Sequence, residues 1–159
     1  SVDMSAQVFG NAWVFGNAQV CGNSKVFGYT LVSGDAKVYG NAKVGGAAFV
    51  SGNSKVGGDV LVSGEARVYD NAQVYGDAWV SDNAEVYDNA QVYGKAWVFD
   101  NARVFHNAQV YGKARVSGDT EVSGDTEVSG DTEVSGDIKD VDKDRIFING
   151  KWYEEVSDD

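Results

Sequence analysis

Few residues in this 159-residue chain could act on a substrate. There is one histidine, His106, and one cysteine, Cys21. A lone imidazole can serve as a general base when a carboxylate orients it. Asp88 and Asp70 precede His106 by 18 and 36 residues. Whether they meet it depends on the fold that carries them. Zinc sites built from several His or Cys ligands are excluded within one chain, as is an intrachain disulfide. Asp140-Val-Asp142-Lys-Asp144 has the alternation that opens a calcium loop. Its sixth position is Arg145 instead of Gly and its twelfth is Lys151 instead of Glu, so it reads as a solvated acidic linker. No metal and no cofactor is expected. Nothing near Cys21 in the sequence marks it as an activated nucleophile, and it reads as a plain surface thiol.

The elements that position these residues follow from a six-residue period. Valine fills every sixth position from Val2 to Val134, 23 times out of 23. A second register from Ala6 to Ile138 holds 15 Ala, 2 Ser, 4 Thr, Val60 and Ile138. The unit reads as in GNAWVF and GNAQVY, and no insertion breaks the count. Apolar separations of two, four and six argue against a helix. The small residue and the valine lie two apart, on one side of a strand, so the residues flanking each valine face the other way. The Gly-Asn or Gly-Asp pair that follows tolerates positive φ and marks a corner.

A second period sets how the strands stack. Gln73, Gln91 and Gln109 recur every 18 residues, as do Tyr75, Tyr93 and Tyr111, and Trp79 and Trp97. Arg67, Glu85, Arg103 and Glu121 alternate in sign at the same spacing. Like rings, like amides and opposite charges all stack favourably between neighbouring parallel strands. Three hexapeptides therefore make one coil of a three-sided solenoid, and that coil places Asp88 beside His106.

This pattern, valine followed four residues later by Ala, Ser or Thr over residues 2–138, resembles the hexapeptide-repeat, left-handed parallel β-helix family. The resemblance implies the left-handed sense. The GNAxVY form also resembles phage and prophage hexapeptide-repeat proteins. The expected fold is thus all-β, a left-handed parallel β-helix over residues 1–138, with an acidic linker and β-hairpin cap over 139–159. Acyltransferases of that family mostly work as trimers, with a catalytic histidine near a subunit boundary and a loop protruding from the prism. His106 is the one candidate for that role, with Asp88 as its partner, but no inserted loop exists here to build a pocket. The carbonic anhydrases on this scaffold use a histidine cluster, which one histidine does not match. Antifreeze β-helices carry an outer Thr-x-Thr array, whereas Thr30, Thr120, Thr126 and Thr132 fall in the inward register.

The two ends differ. Met4 reads as the native start, and the first coil carries no cap, so either the chain is a piece of a longer one or another element covers that end. GDTEVS occurs three times, at 118–123, 124–129 and 130–135, as a polar closing coil. Asn149-Gly150 is a two-residue turn signal; it sets Phe147 opposite Trp152 and Arg145 opposite Glu154. Net charge is -1 over residues 1–116 and -10 over 117–159. No basic stripe suits nucleic acid, no apolar run suits a membrane helix, and no signal peptide is visible. The location expected is cytoplasmic or virion-associated.

The aromatic residues are the most informative. Of 16 in the repeat region, 15 flank a valine and should face outward. One side carries Tyr39, Tyr75, Tyr93 and Tyr111 with Gln73, Gln91 and Gln109. A second carries Phe9, Phe27, Trp79, Trp97 and Phe99. The third carries Trp13, Phe15, Phe49, Tyr69, Tyr87 and Phe105. Stacked rings can simply stabilise a solenoid, or they can form a contact face. The expectation is a non-enzymatic structural or binding scaffold. Its Trp79, Trp97 and Phe99 side would meet a second copy or a protein partner, and its Tyr and Gln side suits carbohydrate. The alternatives are an acyltransferase using His106 and an engineered solenoid with no natural ligand.

Overall fold

The structure is a computed structural model that describes residues 1–3, 5–136, 145–148 and 151–154. Each repeat valine from Val8 to Val134 is the second residue of a short strand, and the strands stack into three parallel sheets. Eight strands form the first sheet, from Gln7–Val8 through Leu61–Val62, Trp79–Val80 and Trp97–Val98 to Glu133–Gly136. Seven form the second, from Trp13–Val14 through Arg67–Val68 and Glu85–Val86 to Glu121–Val122. Seven form the third, from Gln19–Val20 through Gln73–Val74 and Gln91–Val92 to Glu127–Val128. Partners are 18 residues apart throughout, as in Trp79 opposite Trp97 and Gln73 opposite Gln91. No helix occurs among the described residues. The chain is an all-β, three-sided solenoid with one coil per 18 residues.

The interior is made by the two small-residue registers. Every repeat valine from Val20 to Val134 is at most 3% exposed, and the alanines of the inward register from Ala18 to Ala114 are at most 1% exposed. Three sheets enclose too narrow a space for rings, so Val and Ala fill it and the aromatics are left outside. Val60 occupies an alanine position and is buried all the same. Its neighbours one coil away in the same register are Ala42 and Ala78, whose small size leaves room for the extra methyls. Several inward hydroxyls bond to carbonyls three residues back: Ser24 donates to Cys21 at 2.8 Å and Thr30 to Phe27 at 2.6 Å. Thr120 does the same to Ser117 at 2.7 Å. The threonines thus lie inward as expected, and they form no outer array.

The corners need φ values that most residues avoid. Among the described residues seventeen glycines have positive φ, and five other residues take the same place: Asp70, Asp82, Asp88, Asp100 and His106, at φ 56–60°. A non-glycine there costs about 1 kcal/mol. At Gly64 (φ 68°) an added Cβ would lie 2.7 Å from the backbone N of Asp82, which shows how tightly successive corners stack.

Strands Arg145–Ile148 and Lys151–Glu154 pair antiparallel, with Arg145 opposite Glu154 and Phe147 opposite Trp152. That is the register expected from the turn signal. The Asn149-Gly150 turn, the calcium-loop resemblance at Asp140, Asp142 and Asp144, Met4, and the boundary between 138 and 139 lie outside the described residues.

Candidate functional site

His106 and Asp88 do meet. Corner stacking puts them in one column, with His106 Nε2 3.9 Å from Asp88 Oδ2. That is an ion-pair separation, too long for the hydrogen bond by which a carboxylate orients an imidazole. The same oxygen instead accepts the backbone N–H of His106 at 3.1 Å. Asp100 accepts from the N–H of Gly118 at 3.1 Å in the same way, and Asp82 from the N–H of Asp100 at 3.5 Å. These carboxylates tie one corner to the next, and the left-handed backbone is what aims them there. The imidazole leans on Phe105, 4.7 Å between ring centres, and is 60% exposed. The surrounding corner groove, about 780 Å³, runs past Asp70, Asp88 and His106. Its amides are already engaged in an asparagine ladder. Asn53, Asn71, Asn89 and Asn107 each donate to the next, at 3.1, 3.3 and 3.4 Å, and Asn107 donates to Asp125 at 3.0 Å. The 18-residue recurrence of Asn is the sequence signal for this ladder, beyond the turn chemistry those residues also supply. No group of three metal-ligating side chains occurs among the described residues. Cys21 is in no disulfide and is partly exposed.

The Trp side is one continuous stack. Trp79 and Trp97 are parallel within 2° at 4.8 Å between ring centres. Leu61 lies below Trp79 in register, and the Arg115 guanidinium lies over Trp97 at 4.8 Å and over Phe99 at 5.7 Å. Trp79 and Trp97 remain 43% and 37% exposed. What solvent sees is ring edges, because the faces are covered by the neighbours in the stack.

The Tyr and Gln side is also stacked, with centre separations of 4.9 Å for Tyr75 on Tyr93 and for Tyr93 on Tyr111. Here the amides behave differently from expectation. Among the described residues the glutamines do not bond to each other. Three tyrosine hydroxyls reach diagonally to the next coil: Tyr75 donates to Gln91 at 3.2 Å, Tyr93 to Gln109 at 3.1 Å, and Tyr111 to Glu127 at 3.0 Å. Burial pushes the phenols of Tyr75 and Tyr93 up. Gln73, at the start of the column, has no tyrosine one coil below it to donate. Instead Tyr39 leans over Gly57, where a Cβ would come within 2.2 Å of its ring.

On the third side Tyr69, Tyr87 and Phe105 stack at 4.9 and 5.0 Å. Beside them runs the alternating charge column, with Arg67–Glu85 at 3.6 Å, Arg103–Glu85 at 4.0 Å and Arg103–Glu121 at 3.6 Å. Tyr69 donates to Glu85 at 3.3 Å. Burial, then the Glu85 carboxylate, pushes the Tyr69 phenol up. Burial also raises that of Tyr87, against the opposing pull of Arg103.

With this geometry in hand, the chain can be set beside known families. The family model described as YdcK Beta solenoid repeat matches residues 6–22, 66–82, 96–112 and 108–124. Each match is about one coil long, and together they cover less than half of the chain. They fall on the solenoid and include Trp79, Trp97 and His106. No curated protein and no solved structure matches the chain.

Proposed function

We propose that this β-solenoid repeat protein is a rigid, non-enzymatic scaffold. The observation that carries the reading is where the outward side chains are spent. Ring faces, tyrosine hydroxyls, corner amides and corner carboxylates all bind the next coil. Such a surface is built to hold a shape, and repeat proteins present shape over extended faces. His106 belongs to this economy: its backbone N–H is held by Asp88, and its side chain stands in solvent without an enclosing wall. The Trp79, Trp97 and Phe99 side is where the scaffold would meet a second copy or a protein partner. It combines the most exposed rings of the central coils with small neighbours at Ser63 and Ser81. Sugar binding on the Tyr and Gln side is disfavoured, since the rings of Tyr75, Tyr93 and Tyr111 cover one another and two of the glutamines already accept hydroxyl donors.

The experiment is acetyl-CoA turnover with a panel of amine and hydroxyl acceptors, read as release of free thiol, for wild type and His106→Ala. The expected result is no turnover by either protein and equal thermal stability. Turnover by wild type that disappears in His106→Ala would replace this reading with acyl transfer. Light scattering on the same samples gives the assembly state; a trimer, which would put a corner site between subunits, favours the enzyme.

A further inference from the structure

One part of the surface is not closed by its own neighbours. On the third side, the column that follows the valines reads Ser33, Ser51, Tyr69, Tyr87, Phe105, and the column that precedes them reads Leu31, Phe49, Arg67, Glu85. Between Phe49–Val50 and Arg67–Val68 both columns switch, in opposite senses: small gives way to aromatic on one, apolar to charged on the other. The result is a concave step. It forms a groove of about 660 Å³ lined by Leu31, Phe49, Tyr69, Arg67, Glu65 and Ala47. The Tyr69–Phe105 ladder ends there. Tyr87 covers one face of Tyr69, while the position one coil below the other face is Ser51, too small to cover it. Other ladder ends nearby are closed: the Trp stack finishes on Leu61 and Arg115, and Tyr39 closes over Gly57 below Tyr75.

We infer that this groove binds a neutral saccharide, with one pyranose ring laid against Tyr69 and Phe49. A volume of this size suits a ligand of one or two sugar rings. The apolar CH face of a pyranose matches an uncovered aromatic face. Its hydroxyls need both donors and acceptors at the rim, and the groove has one of each. The Arg67 guanidinium, 60% exposed, uses only part of its donor fork on Glu85. Glu65 is exposed and makes no ion pair among the described residues. The opposite charges of Arg67 and Glu65 offset, which favours a neutral ligand, and the nearly neutral body offers no site for a phosphate chain. A protein's aromatic side chain would satisfy the rings but leave this donor and acceptor unused.

The test is saturation-transfer NMR and calorimetry on the full chain with methyl β-glucoside, cellobiose, maltotriose and chitobiose. Ser51→Tyr adds the missing rung of the ladder and fills the step from within, while Glu65→Ala removes a solvent-exposed acceptor without touching the core. The expected result is saturable binding of at least one saccharide by wild type and by Trp79→Ala. Ser51→Tyr should bind about tenfold more weakly or worse, and Glu65→Ala should also bind more weakly. The inference is overturned if no saccharide in the panel binds, or if Ser51→Tyr and Glu65→Ala bind as tightly as wild type. It is equally overturned if N-acetyl-tyrosinamide binds in the groove and the sugars do not. Its failure would leave the scaffold reading, which is tested separately by the absence of acetyl-CoA turnover, untouched.

Discussion

Tyr87→Ala separates a ring that stabilises the solenoid from one that merely decorates it. Tyr87 is the middle rung of its ladder, with Tyr69 at 4.9 Å and Phe105 at 5.0 Å, both nearly parallel. Each stacked pair contributes roughly 1 kcal/mol beyond burial, so two pairs give about 2 kcal/mol. Loss of the ring's half-buried apolar surface adds about 1 kcal/mol. The expected cost is therefore about 3 kcal/mol, an unusually large figure for an outward-facing residue. Phe105→Ala, which removes one pair and similar apolar surface, should cost about 2 kcal/mol. Tyr29, a corner residue 68% exposed and outside any ladder, should cost under about 0.5 kcal/mol. A Tyr87/Phe105 double-mutant cycle should show coupling near 1 kcal/mol. The assay is equilibrium urea unfolding followed by circular dichroism, with the dependence on urea checked to be unchanged among variants. If Tyr87→Ala costs no more than Tyr29→Ala, the ladders are not what holds the outer surface, and the scaffold argument loses its main support.

The remaining expectations are simpler to check. Tyr69, Tyr75, Tyr87 and Tyr93 all have phenols held above the ordinary value of 10.0 in the folded chain. Their contribution to stability is full below about pH 10, where the unfolded chain's tyrosines are also protonated, and is lost as pH rises above that value. Melting temperature should fall between about pH 10 and pH 12, and Tyr75→Phe with Tyr93→Phe should flatten the fall; an unchanged slope would refute the assignment. Inside the solenoid, the Ser54 hydroxyl is buried with no hydrogen-bond partner, whereas Ser24 has one. Ser54→Ala should be neutral or stabilise by up to about 1 kcal/mol, while Ser24→Ala should destabilise by about 1 kcal/mol; denaturation midpoints that reverse this order would count against it.

The coil was legible in the sequence because its cause is local and repeated. Valine at every sixth place can point only one way on a strand, and the recurrence of Trp79 at Trp97 and of Arg67 against Glu85 can be read only at a separation of 18. The Trp stack and the charge column then followed. Alternation shows which face a side chain takes but not how far it leans, so the reach from Tyr75 to Gln91 instead of to a like residue was not visible. Corner aspartates were equally opaque. Asp88, Asp100 and Asp82 looked like ordinary turn residues until their left-handed backbone aimed each carboxylate at an amide one coil on. The step beside Tyr69 was hidden because it belongs to no single column. It arises where two neighbouring columns change character in opposite directions at the same coil.

The ladder bonds have a kinetic consequence. Each runs from a residue to the carbonyl 17 places later, as in Gln7 to Ser24, Lys55 to Ala72 and Gln109 to Thr126. That separation is about a ninth of the chain length, in the range of helical bundles and well below the span of a typical β-sandwich. No strand has to wait for a distant partner, so once two coils have formed, each further coil closes a loop of constant length onto a finished template. Folding should proceed as a zipper with a single nucleation barrier, and lengthening the solenoid should scarcely slow it.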